Sequence, residues 1–195
     1  MLPTFEVDAH RLRPVRAEDA EALGRHWDHL DVRRFLFDGC DVSAADARAL
    51  VAECIADAER VSYGMWVIEQ RRSIGTTCPD RPSLGMCALR ASSQPSVAPV
   101  EVIYSLAPSH WGRGVATTAA QAVVAYALGP LELPSVGAVV DEGNVASAAV
   151  LRRLGMVRVP GADEAGPLGP LLWWRRTAGG DARPGEVSPR GSRPR

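Results

Sequence analysis

Hydrophobic and polar residues along this chain follow patterns that predict both strands and helices. Short apolar runs and period-two patterns predict strands at residues 10–14, 64–69, 84–89, 100–106, 135–140, 156–159 and 171–176. Apolar residues at helical spacing predict helices at residues 17–30, 43–59, 115–128 and 146–154. Because these elements mix without a strict βαβ repeat, we expect an α+β fold with a mixed sheet.

Several elements carry residue-level expectations. The first helix should bury one stripe of side chains, which are Ala20, Leu23, Trp27 and Leu30. Ser43 is a natural N-cap for the second helix. The strand at 100–106 has the clearest alternation, with Val100, Val102, Tyr104 and Leu106 on one face and Glu101, Ile103 and Ser105 on the other. Trp173 and Trp174 alternate across the last strand, so one should be buried and one could meet a partner chain.

Length and composition favour one soluble domain. The chain has 195 residues, of which 46% are hydrophobic, and its formal net charge is −1. We place the domain at residues 8–177 and expect the Pro/Gly/Arg-rich tail at 178–195 to be disordered. The near-neutral charge makes nucleic acid an unlikely partner. No apolar run approaches the length of a membrane span and no signal peptide is apparent, so we expect a cytoplasmic protein.

Some kinds of chemistry are excluded by the residues present. The chain contains no lysine, which rules out a P-loop lysine and a Schiff base. Its cysteines, at positions 40, 54, 78 and 87, form no C-x-x-C pair. His26 and His29 share a helix face near Asp28 and Asp31, but no third convergent ligand is apparent. We therefore expect surface histidines and no bound metal.

One segment combines glycines with a helix start. Gly112 and Gly114 follow the strand that ends at Leu106 and come just before the helix at 115–128. Such a loop can point successive N–H groups at a phosphate, and Arg113 would add positive charge. The glycines could also simply make a tight turn. A dinucleotide-binding fingerprint fails, because its third glycine position is Thr117.

The same segment resembles motif A of the GNAT superfamily of N-acyltransferases. The motif, Arg/Gln-x-x-Gly-x-Gly/Ala, corresponds to Trp111–Ala116, and the wording P-S-H-W-G-R-G-V-A-T is closest to the RimJ/RimL-like branch of ribosomal-protein N-terminal acetyltransferases. The opening at Leu12–Ala20, the Asn144-x-x-Ser147 segment and the stretch Val150–Met156 are also similar to that family. The resemblance spans about residues 10–176 and implies a twisted, mostly antiparallel sheet flanked by helices.

This resemblance implies transfer of an acetyl group from acetyl-coenzyme A to a primary amine, either a peptide N-terminus or a small molecule. The amine would attack directly in a ternary complex, and no metal is implied. Coenzyme A would be bound by Leu106, Ala107, Trp111, Gly112, Arg113, Gly114, Val115, Ala116, Thr117, Asn144 and Ser147. The protein would be a monomer or a homodimer. The alternative is a non-catalytic domain that binds acyl-coenzyme A.

The resemblance also suggests catalytic roles. Glu101 is the first candidate for the general base, and a salt-bridged strand glutamate is the other interpretation. Backbone N–H groups within residues 105–107 would bind the oxyanion. The helical position where many family members carry a catalytic Tyr is Leu151, so Ser147 is the remaining partner for the thiolate. Other residues have weaker candidate roles: Glu142 as a base, His110 beside the phosphate loop, and Trp27, Phe35, Phe37 and Trp66 either in the acceptor cleft or in the core.

Overall fold

The computed structural model describes residues 1–71 and 83–179. The predicted tail lies almost wholly outside these residues. Most of the predicted loop between the third and fourth strands, including Cys78, also lies outside them.

Nine strands form one sheet within the described residues. They are β1 (Phe5–Val7), β2 (His10–Pro14), β3 (Met65–Gln70), β4 (Ser83–Ala91), β5 (Val100–Leu106), β6 (Ser135–Asp141), β7 (Val157–Arg158), β8 (Glu164–Gly166) and β9 (Gly169–Thr177). Their order is β1-β2-β3-β4-β5-β6-β9-β7, and β8 pairs with β9. Every pair is antiparallel except β5 with β6, so the predicted mixed, mostly antiparallel α+β fold is confirmed.

The helices lie on both faces of the sheet. They are α1 (Ala20–Trp27), α2 (Leu30–Leu36), α3 (Ala44–Val61), α4 (Val115–Leu128) and α5 (Val145–Arg153), with short 3-10 turns between some of them. One hydrophobic core joins α4 and α5 to Val100, Val102 and Leu106 of β5. A second core joins α1, α2 and α3 to the other face, where Ile103 packs. The fold is therefore a sheet sandwiched between two helical layers.

The parallel pair β5–β6 joins the two halves of the sheet over a very short length. Only Val100 with Val136 and Glu101 with Gly137 are in register. Beyond these residues β5 continues to Leu106 and β6 to Asp141 without further pairing to each other. Because parallel strands end at the same edge of a sheet, their carboxyl ends form the two walls of an opening.

The first predicted helix is wrong in its extent. The chain forms a 3-10 turn at Ala17–Asp19, α1 ends at Trp27, and α2 begins at Leu30. His29 separates the helices because it is extended, and its side chain accepts a hydrogen bond from the N–H of Asp31. Leu30 is consequently 69% exposed instead of buried, whereas Ala20, Leu23 and Trp27 are buried as predicted.

The structure corrects one expectation about aromatic residues and decides an open alternative in favour of the core. Trp173 and Trp174 are both buried, because β9 has β6 on one side and β7 and β8 on the other, and both of its faces are covered. Trp27 and Trp66 are 1% and 0% exposed and pack in the two cores, so they do not line a cleft. The short strands β1 and β8 were not predicted, since three residues carry too little pattern.

Ser43 caps α3 as predicted. Its side chain accepts from the N–H of Asp46, and the Asp46 carboxylate accepts from the Ser43 N–H, which forms a capping box. None of the helices in the described ranges is long and apolar enough to cross a bilayer.

Gly85 allows β4 and β5 to approach closely at the end of β5. Its φ is +145°, and a Cβ there would overlap the carbonyl oxygen of Ser105 and lie 2.8 Å from the Cα of Leu106. We expect Gly85→Ala to lower the free energy of unfolding by at least about 2 kcal/mol, measured by urea denaturation. Gly143→Ala is the control, because open space surrounds that position. Equal stability of the two variants would contradict this account.

Candidate active site

The glycine loop has the backbone shape that its sequence predicted. Gly112 and Gly114 have φ of +71° and +80°, and nothing lies within 4 Å of the Cβ position of either residue. Helix α4 begins at Val115, so its first N–H groups lack partners within the helix. Arg113 is exposed between the two glycines. The loop therefore presents N–H donors, a helix N-terminus and a cation to open space, which suits a pyrophosphate group.

Trp111 fixes this loop to the end of β5. Its indole Nε1–H donates to the carbonyl oxygen of Leu106 at 2.7 Å, while 49% of the residue stays exposed. Val115 is 5% exposed and packs in the core, so only its backbone can reach a ligand. Ala116 and Thr117, in the first turn of α4, are half-buried. The structure thus brings the predicted residues of motif A together around one exposed loop.

Only part of the predicted oxyanion stretch faces the opening. The N–H of Ala107 donates to the carbonyl oxygen of Leu84 at 2.8 Å, so it points at β4 and cannot serve an oxyanion. N–H groups alternate in direction along an antiparallel strand, and Ser105 therefore also points at β4. The N–H of Leu106 points the other way, towards the opening. The expectation that residues 105–107 together supply the oxyanion donors is therefore corrected: of these three residues, only Leu106 has an N–H that faces the opening.

The opposite wall is the start of α5, after β6. Asn144 is its N-cap, and its side-chain oxygen accepts from the N–H of Ser147 at 3.1 Å. A contact between Asn144 and the coenzyme stays a prediction. Leu151, at the family's Tyr position, is 0% exposed and packs in the core.

Tyr104 supplies a phenol that the sequence analysis did not single out as a candidate. The Ser147 hydroxyl donates to the Tyr104 hydroxyl oxygen at 3.1 Å, and the Tyr104 hydroxyl is 3.2 Å from the carbonyl oxygen of Ser147, to which it donates. This pair spans from β5 to α5 on the face of the sheet that carries α4. Burial raises the pKa of Tyr104 to about 12, so the phenol keeps its proton at neutral pH. The sequence did offer one signal for Tyr104, since it places a hydroxyl on the otherwise apolar strand face of Val102 and Leu106.

His26 reaches the other face of the same opening. Its Nε2 lies 2.9 Å from the hydroxyl oxygen of Ser105. Burial, with a smaller effect of His29, lowers the pKa of His26 to about 4, so the imidazole is neutral at neutral pH. The prediction of a surface histidine is therefore wrong for His26, although His29 is exposed. In the described ranges, no group of three or more His, Cys, Asp or Glu side chains could hold a metal ion.

Glu101 lies at the closed end of the β5–β6 pair and is 1% exposed. One carboxylate oxygen accepts from the N–H and hydroxyl of Ser93 at 2.5 and 2.9 Å, and the other accepts from Arg90 at 3.2 Å. These contacts hold the loop between β4 and β5 against the sheet. They support the salt-bridged interpretation of Glu101, and its role as a base stays a prediction.

Comparison with known proteins identifies the class to which this fold and site belong. Residues 10–157 match the family described as the acetyltransferase (GNAT) domain. The chain belongs to this family and is an acyltransferase, which confirms the family resemblance drawn from the motifs.

Individual relatives are distant but cover most of the chain. The uncharacterized N-acetyltransferase YoaA of Bacillus subtilis is 29% identical over 158 residues, which are 80% of this chain and 83% of that protein. The structure of an acetyltransferase from Agrobacterium tumefaciens has a TM-score of 0.72 and 23% identity, covering 90% of this chain and 94% of that one. A RimL ribosomal alpha-N-protein acetyltransferase in complex with coenzyme A has a TM-score of 0.70 and 17% identity, covering 90% and 98%. These structures share the fold.

Glu101→Gln separates an anchoring role from a catalytic one. Gln removes the charge that faces Arg90, so we expect the free energy of unfolding to fall by about 1.5–3 kcal/mol. If Glu101 is also the base, turnover by the folded enzyme falls at least about tenfold. A stability loss with turnover within about twofold of wild type would assign Glu101 to anchoring alone. Unchanged stability would contradict the anchoring role.

Proposed function

We propose that this protein transfers an acetyl group from acetyl-coenzyme A to a primary amine by direct attack in a ternary complex. The observation that carries the proposal is the opening between β5 and β6, which has the glycine loop at the end of β5 and a hydroxyl pair that joins its two walls. The acceptor is a peptide N-terminus or a small amine. The RimJ/RimL-like wording of motif A and the name of the RimL neighbour support the peptide.

The loop and the start of α4 would hold the pyrophosphate of the coenzyme. Gly112, Gly114 and Val115 offer backbone N–H groups, and Arg113 offers charge. The pantetheine arm would then run along the free edge of β5, where the N–H of Leu106 is exposed to it, with Ala107 beside the arm and Asn144 on the opposite wall. Because the two strands diverge beyond Glu101, the thioester can enter between them.

Attack by the neutral amine forms the C–N bond and a tetrahedral oxyanion. The Leu106 N–H would donate to that oxyanion, and one such donor contributes about 3–4 kcal/mol to the transition state. The C–S bond then breaks, and the leaving thiolate needs a proton. Ser147 and Tyr104 would supply it as a hydrogen-bonded pair, because the phenol is protonated at neutral pH.

Direct attack is favoured over an acyl-enzyme because Cys54 and Cys87, the two described cysteines that are not fully exposed, are poor nucleophiles. Burial strongly raises the pKa of the Cys87 thiol and raises that of Cys54 to about 11, so both stay as thiols at neutral pH. Cys40 is exposed in the segment between α2 and α3 and is not part of motif A. The cytoplasmic location and the monomeric or homodimeric state stay predictions.

Gly114→Trp tests the phosphate-binding loop. We expect calorimetric titration to show loss of acetyl-coenzyme A binding, because the indole would fill the space in front of the N–H groups. Gly155→Trp is a matched control, since Gly155 also has φ of +71° and nothing near its Cβ position, but follows α5. Equal affinities in the two folded variants would remove the loop from the binding site. No binding of acetyl-coenzyme A by the wild type would overturn the proposed function.

Tyr104→Phe and Ser147→Ala test the proton donor. We expect each to lower kcat at least about tenfold, because departure of the thiolate loses its proton donor. Tyr104→Phe should leave the affinity for acetyl-coenzyme A unchanged, since Tyr104 is not among the residues expected to bind the coenzyme. Tyr126→Phe is the control, since Tyr126 also donates to a backbone oxygen, that of Ser62, at 2.9 Å. If Tyr104→Phe keeps the wild-type kcat, the thiolate takes its proton from elsewhere. If wild type and both variants bind acetyl-coenzyme A but none of them turns over, the protein is the alternative, a non-catalytic domain that binds acyl-coenzyme A.

A further inference from the structure

Asp141, the last residue of β6, carries a buried carboxylate oxygen that no protein group satisfies. The residue is 5% exposed, and its Oδ1 is buried without a hydrogen-bond partner. A buried polar atom without a partner costs free energy, so such an atom in a folded protein requires a reason. Glu101 differs in this respect, because several donors surround its carboxylate.

The strand register places Asp141 at the opening. The pairing of β5 with β6 ends at Glu101 and Gly137, so Asp141 lies at the end of the part of β6 that is not paired with β5. Val136, Ala138 and Val140 pack in the core under α4, so alternation sends the Asp141 side chain to the opposite face. Ser105 and its partner His26 lie on that same face. Tyr104 and Ser147 lie on the first face, so the opening has a different set of polar groups on each side.

The electrostatics on the side of Asp141 suit a cation. Asp38, in the segment after α2, is close enough to affect Asp141. Loss of hydration on burial raises the pKa of the Asp141 carboxyl, its own backbone N–H opposes this rise, and the charge of Asp38 adds to it. His26 carries no charge at neutral pH, so the imidazole adds no repulsion for a cation.

We propose that Asp141 binds the ammonium group of the acceptor amine and takes its proton, with Asp38 attracting the cation. This inference rests on the proposed acetyl transfer and identifies the acceptor as a protonated amine that enters on the side of α1 and α2. Proton transfer from the ammonium group to the Asp141 carboxylate leaves a neutral amine. That amine forms the C–N bond and the tetrahedral oxyanion. The C–S bond then breaks, and a second proton reaches the thiolate from the Tyr104–Ser147 pair. The pair recovers its proton from the new amide nitrogen, and Asp141 releases its proton to water.

Stability provides the first test, because it needs no acceptor. A carboxyl whose pKa is raised by folding stabilises the fold only while it is protonated, and this contribution is lost as the pH rises through the folded pKa. At neutral pH we therefore expect Asp141→Asn to melt at the same temperature as wild type or higher. Glu59→Gln, on the exposed surface of α3, is the control for the change in net charge. A melting temperature lower by more than about 3 °C would make Asp141 a structural residue and overturn the proposal.

Turnover provides the second test, with two small nucleophiles that need no specific pocket. Ethylamine is a cation at neutral pH, whereas hydroxylamine is mostly uncharged. We expect Asp141→Asn to lower kcat/KM for ethylamine at least about tenfold more than kcat/KM for hydroxylamine, because only the first loses a charged partner. Asp38→Asn should act in the same direction but less. Equal losses for both nucleophiles would overturn the proposal.

The two proposals fail separately. If wild type binds no acetyl-coenzyme A, the acetyl-transfer function fails first, and the assignment of Asp141 fails with it. If wild type binds acetyl-coenzyme A and acetylates hydroxylamine but never ethylamine, transfer stands and the assignment of Asp141 is wrong. A melting temperature of Asp141→Asn at or above that of wild type, together with selective loss of ethylamine turnover, supports both.

Discussion

The early separation of β5 from β6 is the constraint on which the rest of this structure depends. Two consecutive residues pair across these parallel strands, and the strands then diverge. Unpaired backbone groups inside a sheet cost free energy unless something else satisfies them. Part of that cost is offset here by side chains, since Trp111 donates to the Leu106 carbonyl oxygen. The N–H of Leu106 is left facing the opening, where it is free to donate to a ligand.

Other contacts keep the opening at a defined place. Glu101 fixes its closed end through Ser93 and Arg90, so the strands are paired just before they diverge. Gly85 lets β4 pack tightly behind Ser105 and Leu106, which fixes the free edge of β5 from the other side. The hydroxyls of Tyr104 and Ser147 join the two walls directly. These contacts restrain the same gap at different points, and this is how a short parallel pair can position reacting groups.

The sequence predicted those parts of the site that depend on neighbouring residues. Gly112 and Gly114 predict a curled loop before a helix, and Asn144 predicts a helix start. Both predictions depend only on residues that are close together in the chain. The alternation along β5 also assigned Glu101 correctly to the face opposite Val100. Its partners Ser93 and Arg90 could not be predicted, since they depend on how the loop after β4 folds back.

The residues that sequence reasoning missed acquire their roles from register and packing between distant segments. Asp141 looks like an ordinary strand end until the short pairing of β5 with β6 leaves it in the unpaired part of β6, beside the opening. His26 looks like a surface histidine until the packing of α1 against the sheet brings its imidazole to Ser105 of β5. Tyr104 requires α5 beside it to become a donor to Ser147. None of these relations follows from local propensity, because each joins elements whose relative position is set by the whole sheet.

In the proposed mechanism, the opening also separates the proton transfer that frees the amine from the one that reaches the leaving thiolate. One proton must leave the nucleophile and another must reach the thiolate, and a single group serving both would have to change its protonation state midway. Here the carboxylate of Asp141 and the phenol of Tyr104 lie on opposite faces, and burial raises the pKa of both. A raised pKa makes a carboxylate a stronger base and keeps a phenol protonated. Burial of the two groups therefore suits each of them to the proton transfer expected on its own side. This burial costs folding free energy, which the two hydrophobic cores must offset.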